Sequence, residues 1–200
     1  MSAVKILIVE DEMIIAADIS MMLEAFGYEI TGITPRGEDA LKSIEITLPD
    51  LVLMDIALKG ALDGVETAQF IFERHQIPVI FLTANADDAT FARAKTTRPY
   101  AFISKPFQPS DLQRAIELAL ARLAAEHSGQ SLLHVNDSVQ DAYILADRIF
   151  VHHKGKMTKI LLQDILYVEA DRSYCKIHTS QAEYLMSVSL GTLEEKLPAK

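Results

Sequence analysis

The chain has 200 residues, half of them hydrophobic, which is enough for one large or two ordinary domains with a real core. No apolar stretch approaches the roughly 18 residues of a membrane span, and the single cysteine has no disulfide partner, so the sequence predicts a cytoplasmic protein without a membrane anchor. The formal net charge of −9 falls mostly on residues 1–126 (11 Lys/Arg against 19 Asp/Glu), which argues against nucleic-acid binding by that part.

Residues 1–126 contain five repeats of a strand followed by a helix. The strands are predicted at about 4–9, 28–33, 50–55, 78–83 and 100–104, and the helices at about 12–26, 36–47, 64–75, 87–97 and 110–126. A strand spacing of about 25 residues is typical of right-handed βαβ crossovers. The pattern therefore predicts an α/β domain with a doubly wound, five-stranded parallel sheet.

Residues 127–200 have a different pattern. The residues that follow position 126 show no hydrophobic periodicity, and we predict a linker over residues 127–146. Short alternating segments follow at 148–153, 156–162, 165–170, 174–179 and 183–188, and then a short helix at about 189–197. We therefore predict a second, small and mostly antiparallel β domain over 147–200.

Polar residues follow four strands of the first domain, at the point where each apolar run stops. They are Glu10-Asp11 after the first strand, Asp55 after the third, Thr83 after the fourth and Lys105 after the fifth. The carboxyl ends of parallel strands meet at the same edge of a sheet. The sequence therefore predicts one crevice that holds three carboxylates, a hydroxyl and an ammonium.

This set of groups is suited to phosphoryl transfer with a divalent cation. Crowded carboxylates repel one another unless a cation lies among them, and Mg²⁺ prefers the oxygen ligands that Asp11 and Asp55 supply. Lys105 and Thr83 add a positive charge and a hydroxyl donor, both of which a phosphoryl group needs. Asp55, at the end of the central strand, is then the predicted nucleophile that forms an aspartyl phosphate.

At these residues the sequence resembles the receiver domains of two-component response regulators, over residues 1 to about 122. The matching segments are Ile8-Val9-Glu10-Asp11, Leu53-Met54-Asp55-Ile56, Asp63-Gly64, Leu82-Thr83-Ala84 and Phe102-Ile103-Ser104-Lys105-Pro106. The resemblance implies a flavodoxin-like fold with strand order 2-1-3-4-5. It also implies Mg²⁺ bound to Asp11, Asp55 and the backbone carbonyl of Ala57, with Glu10 acting through water.

The resemblance implies further roles and partners. Asp55 would take its phosphoryl group from a sensor histidine kinase, while Thr83 and Lys105 bind the phosphoryl oxygens. Phe102 would be the aromatic switch, and it stands where a tyrosine is often found, so its inward rotation would depend on packing alone. Receiver relatives commonly form homodimers, and we expect one here.

Part of the second domain looks like the opening part of a LytTR-type DNA-binding domain, over about 147–198. The strands that normally follow the short helix are missing, so we expect a truncated domain whose open strand edge pairs with a second copy. Four basic residues are predicted to contact DNA: Arg148, Lys154, Lys156 and Arg172. An ordinary solvated strand and turn explains these charges equally well.

Three classes of function are compatible with parts of this pattern. The first is a phosphorylation-dependent transcriptional response regulator, which would not be an enzyme beyond slow self-dephosphorylation. The second is an aspartate-nucleophile phosphatase of the haloacid dehalogenase type, which needs a second Asp two residues after the nucleophile, where this chain has Ala57. The third keeps the receiver and uses the β half as a protein-interaction or dimerisation module.

Overall fold

The structure is a computed structural model that describes residues 2–84, 88–127, 142–145, 147–154, 156–172 and 174–197. The strands are β1 (Ser2–Ala3), β2 (Lys5–Val9), β3 (Glu29–Thr34), β4 (Leu51–Asp55), β5 (Val79–Thr83), β6 (Ala101–Ser104), β7 (Ala142–Ile144), β8 (Arg148–His153), β9 (Lys156–Leu161), β10 (Ile165–Asp171), β11 (Tyr174–Thr179) and β12 (Glu183–Met186). The helices are α1 (Met13–Ala25), α2 (Gly37–Ile46), α3 (Gly64–His75), α4 (Asp88–Thr96), α5 (Pro109–His127) and α6 (Leu190–Lys196). The chain divides into two units, Lys5–Ala119 and Met1–Val4 with Leu120–Lys200.

The first unit contains the predicted parallel sheet. Its strands lie in the order β3-β2-β4-β5-β6, which is 2-1-3-4-5 when they are counted within this sheet. All four neighbouring pairs are parallel. The flavodoxin-like, doubly wound fold predicted from the sequence is therefore confirmed.

The central strands are apolar along their length because both faces of the sheet are covered by helices. On one face, Leu7 of β2 and Val52 of β4 belong to a buried cluster with Ile44 of α2 and Ile71 of α3. Their neighbours in sequence, such as Ile6, point to the other face and are fully buried as well. This packing fixes the strand register and thereby the positions of the residues that follow each strand.

The second unit is mostly antiparallel β, as predicted. One sheet has the order β1-β9-β8-β7 and the other the order β10-β11-β12. Side chains from both sheets and from α6 form one core, in which Val151, Ile177, Met186 and Leu193 are buried. Alternation along β11 places Cys175 and Ile177 in this core.

Two strands of the second unit were not predicted. The strand β7 lies inside the range predicted as a linker, 127–146, and pairs with β8. The strand β1 pairs with β9. Segments of three and two residues are too short to show an alternating pattern, which is why sequence periodicity missed them. Of the predicted linker, residues 128–141 and 146 lie outside the described residues, as do residues 198–200 of the predicted second domain.

None of the helices in the described part of the chain combines the length and the apolar character that crossing a bilayer requires.

Candidate functional site

Three carboxylates meet at the carboxyl edge of the parallel sheet. Glu10 and Asp11 follow β2, and Asp55 ends β4, the strand next to it. One side-chain oxygen from each of the three lies within 4.8 Å of the others. Glu10 is fully buried and Asp55 nearly so. Clustered carboxylate oxygens are hard ligands, so this donor set fits Mg²⁺.

Lys105 brings a positive charge to two of these carboxylates. It follows β6, and its Nζ lies 2.6 Å from Glu10 Oε2 and 3.2 Å from Asp55 Oδ2. Its backbone N–H donates to the carbonyl oxygen of Thr83, at 2.7 Å, and its peptide bond to Pro106 is cis. The structure thus brings Lys105 into the predicted crevice together with Glu10, Asp11 and Asp55.

Burial and neighbouring charges shift the pKa values of Glu10 and Lys105. Burial raises the pKa of Glu10 above its usual value, and the hydrogen bond from Lys105 only partly offsets this. Burial acts to lower the pKa of Lys105, but the hydrogen bond to Glu10 and the charge of Asp55 outweigh it, and the pKa is raised. Lys105 therefore compensates the buried charge of Glu10 only in part, which is a second indication that the site suits a divalent cation.

The backbone after Asp55 turns tightly to meet α3. The Ala57 N–H donates to Asp55 Oδ1 at 3.2 Å, and Ala57, a predicted metal ligand through its carbonyl, is exposed at the rim. Gly64 opens α3 and donates its N–H to the carbonyl of Ile56 at 3.1 Å. A Cβ at Gly64 would overlap the backbone carbonyl of Asp55, so only glycine allows this approach. Asp63 caps the helix in a capping box with Glu66.

Thr83 and Phe102 lie on adjacent strands of the same sheet. Thr83 ends β5 and is half-buried, and it pairs in register with Ser104, the residue before Lys105. The Phe102 ring is half-buried between two other rings, with its centroid 5.5 Å from that of Phe81 and 4.8 Å from that of Phe91. The predicted switch therefore contacts the core of the sheet on one side and α4 on the other.

Two ion pairs near the site were not predicted from the sequence, that of Lys59 with Asp11 and that of Arg93 with Asp63. Lys59 Nζ lies 2.8 Å from Asp11 Oδ2, and Arg93, on α4, contacts Asp63 Oδ2 at 2.8 Å. Lys59 lies in the loop between β4 and α3, where no hydrophobic periodicity fixes the direction of a side chain. Its only sequence signal is a positive charge four residues after Asp55.

The four predicted DNA-contacting residues do not form one group. Lys154 and Lys156 are both exposed at one end of the β8–β9 hairpin. Arg148 begins β8, whose far end at His153 is about 17 Å away at 3.4 Å per residue. Its guanidinium is paired with Asp147 at 2.6 Å. Arg172 is exposed in the turn between β10 and β11, in the other sheet. Of the four predicted residues, only Lys154 and Lys156 lie close enough together to form a local basic patch.

Comparison with known families matches both parts of the chain. Residues 6–117 match the family described as the response regulator receiver domain. Residues 155–200 match the LytTr DNA-binding domain. The first match contains the whole carboxylate cluster, and the second contains Lys156 and Arg172 but neither Arg148 nor Lys154.

Similar proteins include regulators and isolated receiver domains. Transcriptional regulatory protein PdtaR of Mycobacterium tuberculosis is 39% identical over 118 residues, which are 59% of this chain and 57% of that protein. The signal receiver domain of a modulated diguanylate cyclase from Desulfovibrio desulfuricans superposes with a TM-score of 0.57 and 41% identity, over 59% of this chain and 94% of that one. The receiver domain of sensor histidine kinase PA1611 from Pseudomonas aeruginosa, solved with a magnesium ion coordinated in the active site cleft, gives a TM-score of 0.53 and 31% identity, over 58% and 96%.

The chain spans about half the length of the curated relatives that it matches. The receiver match over residues 6–117 covers nearly all of the first unit, where the acidic cluster and the lysine after β6 both occur. Because the receiver match covers more than half of its 200 residues, the chain belongs to the response regulator receiver domain family, and a match to the LytTr DNA-binding domain follows it.

Proposed function

We propose that this chain is a two-component response regulator that accepts a phosphoryl group on Asp55 and controls transcription through its LytTR half. The observation that carries the proposal is the position of Asp55, buried at the end of β4, with the Lys105 ammonium 3.2 Å away and oxygens of Glu10 and Asp11 within 4.8 Å. A sensor histidine kinase is the proposed phosphoryl donor, which agrees with membership of the receiver family.

Each group at the site has a distinct task in this reaction. One Asp55 carboxylate oxygen attacks phosphorus as the bond to the donor imidazole breaks, and the electron pair of that bond leaves with the imidazole. Asp11, Asp55 and the Ala57 carbonyl would hold Mg²⁺, with Glu10 acting through water, and the clustered carboxylates support this assignment. A similar receiver domain has been solved with a magnesium ion in its active site cleft. Mg²⁺ would neutralise charge on the phosphoryl oxygens. Lys105 would stabilise the same oxygens by transferring its hydrogen bond from Asp55 to them.

The response to phosphorylation would pass through Thr83 and Phe102. A phosphoryl oxygen accepts a hydrogen bond from the Thr83 hydroxyl, which moves the end of β5 beside β6. Phe102 would then change its packing against Phe91 and shift α4. We propose that the altered face of α4, β6 and α5 forms a homodimer, and sedimentation velocity with and without beryllofluoride measures it, with Asp55→Asn as the control.

DNA is the proposed target of the second half. The match to a DNA-binding domain supports this, and the exposed lysines Lys154 and Lys156 supply charge for phosphate contacts. A protein-interaction or dimerisation module remains the second candidate, because β10 and β12 each have one strand neighbour among the described residues and so present an edge. Salt-dependent binding to DNA separates the two.

We further propose that the protein is cytoplasmic and that its chemistry stops at slow self-dephosphorylation. Ala57 stands where an aspartate-nucleophile phosphatase would need its general acid, and Ala57 has no group that transfers a proton. The receiver domain over 1–126, the linker over 127–146 and the DNA-binding domain over 147–200 are the proposed limits, with β7 as an ordered segment at the end of the linker range.

Phosphorylation of the full chain by acetyl phosphate, read by intact mass, tests the proposed function. The chain should gain one phosphoryl group only when Mg²⁺ is present, and Asp55→Asn should abolish the gain. Asp39→Asn is a matched control, because Asp39 is a carboxylate of α2 that is ion-paired to Lys42. A phosphoryl group that persists in Asp55→Asn would show that Asp55 is not the acceptor.

A further inference from the structure

Lys59 binds the one carboxylate of the cluster that Lys105 does not contact in the described structure. The Lys59 Nζ lies 2.8 Å from Asp11 Oδ2, whereas Lys105 contacts Glu10 and Asp55. The Asp11 side chain is itself mostly buried, and one of its oxygens faces the other two carboxylates within 4.8 Å. An ammonium therefore already lies against the most accessible of the three carboxylates.

The two lysines differ in how firmly they are held. The Lys105 side chain is 10% exposed and follows a strand of the sheet. The Lys59 side chain is 85% exposed and extends from the loop between β4 and α3. An ion pair with one member in water contributes little to stability, so Lys59 can leave Asp11 at small cost, whereas Lys105 cannot leave Glu10 as easily.

Charge neutrality favours that departure once a divalent cation binds. The three carboxylates and two ammonium groups have a formal net charge of −1. A divalent cation added to all five groups would bring the charge to +1 and would place two cations on Asp11. Without Lys59 the same site is neutral, and the repulsion between the ammonium and the metal is removed.

We propose that Lys59 is a competing counter-ion of the metal site, which occupies Asp11 in the ion-free chain, leaves when Mg²⁺ binds and thereby lowers the affinity for Mg²⁺. This inference rests on the proposed function, since it concerns the same site. Lys59 would then set the Mg²⁺ concentration at which the receiver becomes competent for phosphorylation.

A simpler role for Lys59 predicts the opposite sign. If its ion pair served only to order the loop that carries Ala57, then removing Lys59 would loosen a proposed metal ligand and weaken Mg²⁺ binding. If Lys59 competes with the metal, its removal strengthens Mg²⁺ binding. The direction of the change in affinity therefore distinguishes competition from loop ordering.

Calorimetric titration of the full chain with MgCl₂ at low ionic strength tests the inference. Lys59→Met should bind Mg²⁺ about 1.5- to 5-fold more tightly than the wild type, the range expected when an exposed ion pair is removed. Lys59→Arg keeps the charge and should bind Mg²⁺ like the wild type. Lys42→Met is the matched control, because Lys42 is 75% exposed, is ion-paired to Asp39 and changes the net charge equally. The advantage of Lys59→Met should shrink as KCl is added.

Two results would overturn the inference, and they differ in what else they overturn. Equal affinities of Lys59→Met and Lys42→Met, or weaker binding by Lys59→Met, would exclude competition and leave the metal site in place. If neither the wild type nor any variant bound Mg²⁺, the metal site would be excluded, and the proposed function with it.

Discussion

Lys105 Nζ lies closer to Glu10 Oε2, at 2.6 Å, than to Asp55 Oδ2, at 3.2 Å. Glu10 is fully buried, so its carboxylate depends on this ammonium for compensation, and in turn it holds Lys105 beside the proposed phosphoryl acceptor. Glu10 thus has two proposed roles: it positions the lysine, and when Mg²⁺ is bound it acts on the metal through water.

Lys105→Met should destabilise the Mg²⁺-free chain in a pH-dependent way. Removing the ammonium leaves two buried carboxylates uncompensated, with an expected cost of about 1–3 kcal/mol at pH 8. The folded-state pKa of Glu10, already raised, would rise further, so the folded chain would bind more protons than the unfolded chain. The deficit should therefore shrink as pH falls through that raised pKa.

Urea unfolding between pH 5 and pH 8 measures this deficit, and added Mg²⁺ should also reduce it. Lys42→Met is the control, since its ion pair with Asp39 is exposed and its effect should be small at every pH. A deficit that is independent of pH would show that the Glu10 carboxylate is compensated by another group.

Gly64→Ala should disturb the site without removing any of its charges. A Cβ at this position overlaps the backbone carbonyl of Asp55, so either the start of α3 or the end of β4 must move. We expect a decrease of about 1–3 kcal/mol in the free energy of unfolding, together with slower phosphorylation of Asp55.

The control for Gly64→Ala is Gly191→Ala in α6. A Cβ at Gly191 would meet no atom within 4 Å, and alanine favours the helix, so that variant should be as stable as the wild type or slightly more stable. If Gly64→Ala were as stable as the wild type and were phosphorylated at the wild-type rate, the close approach of α3 to Asp55 would be required neither for stability nor for phosphorylation.

Phe102→Ala should separate phosphorylation from the structural response. The Phe102 ring lies between Phe81 and Phe91 and does not belong to the carboxylate cluster, so Asp55 should still be phosphorylated. Beryllofluoride should change amide hydrogen exchange in α4 of the wild type and much less in Phe102→Ala. Phe72→Ala is the control, because Phe72 is a partly exposed ring of α3 and should leave the response intact. A full α4 response in Phe102→Ala would assign the switch to another residue.

The sequence could predict the parallel sheet and the residues at its edge, because both follow from where buried apolar strands stop. Asp55 ends one such strand and Lys105 directly follows another, so strand register alone brings them to one edge. The contact of Lys59 with Asp11 could not be predicted, since an exposed loop side chain has no periodicity that fixes its direction. The separation of Arg148 and Arg172 from the two hairpin lysines depends on how the antiparallel strands are arranged in two sheets, which the local pattern does not contain.

Replacing Lys154 and Lys156 together by glutamine should weaken DNA binding by the full chain, because glutamine cannot neutralise a phosphate. The two side chains are exposed at one end of the β8–β9 hairpin, so both can reach the same stretch of DNA backbone. For each lysine that binds a phosphate, its replacement should make the slope of log affinity against log salt less negative by about 0.9. Related and unrelated DNA sequences should be affected alike. Lys176→Gln is the control, because Lys176 is paired with Asp171 on β10 at 3.2 Å and is not predicted to bind DNA. An unchanged salt slope in the double variant would remove the hairpin lysines from the DNA interface. Absence of DNA binding by the wild type as well would favour a protein-interaction role for the second half.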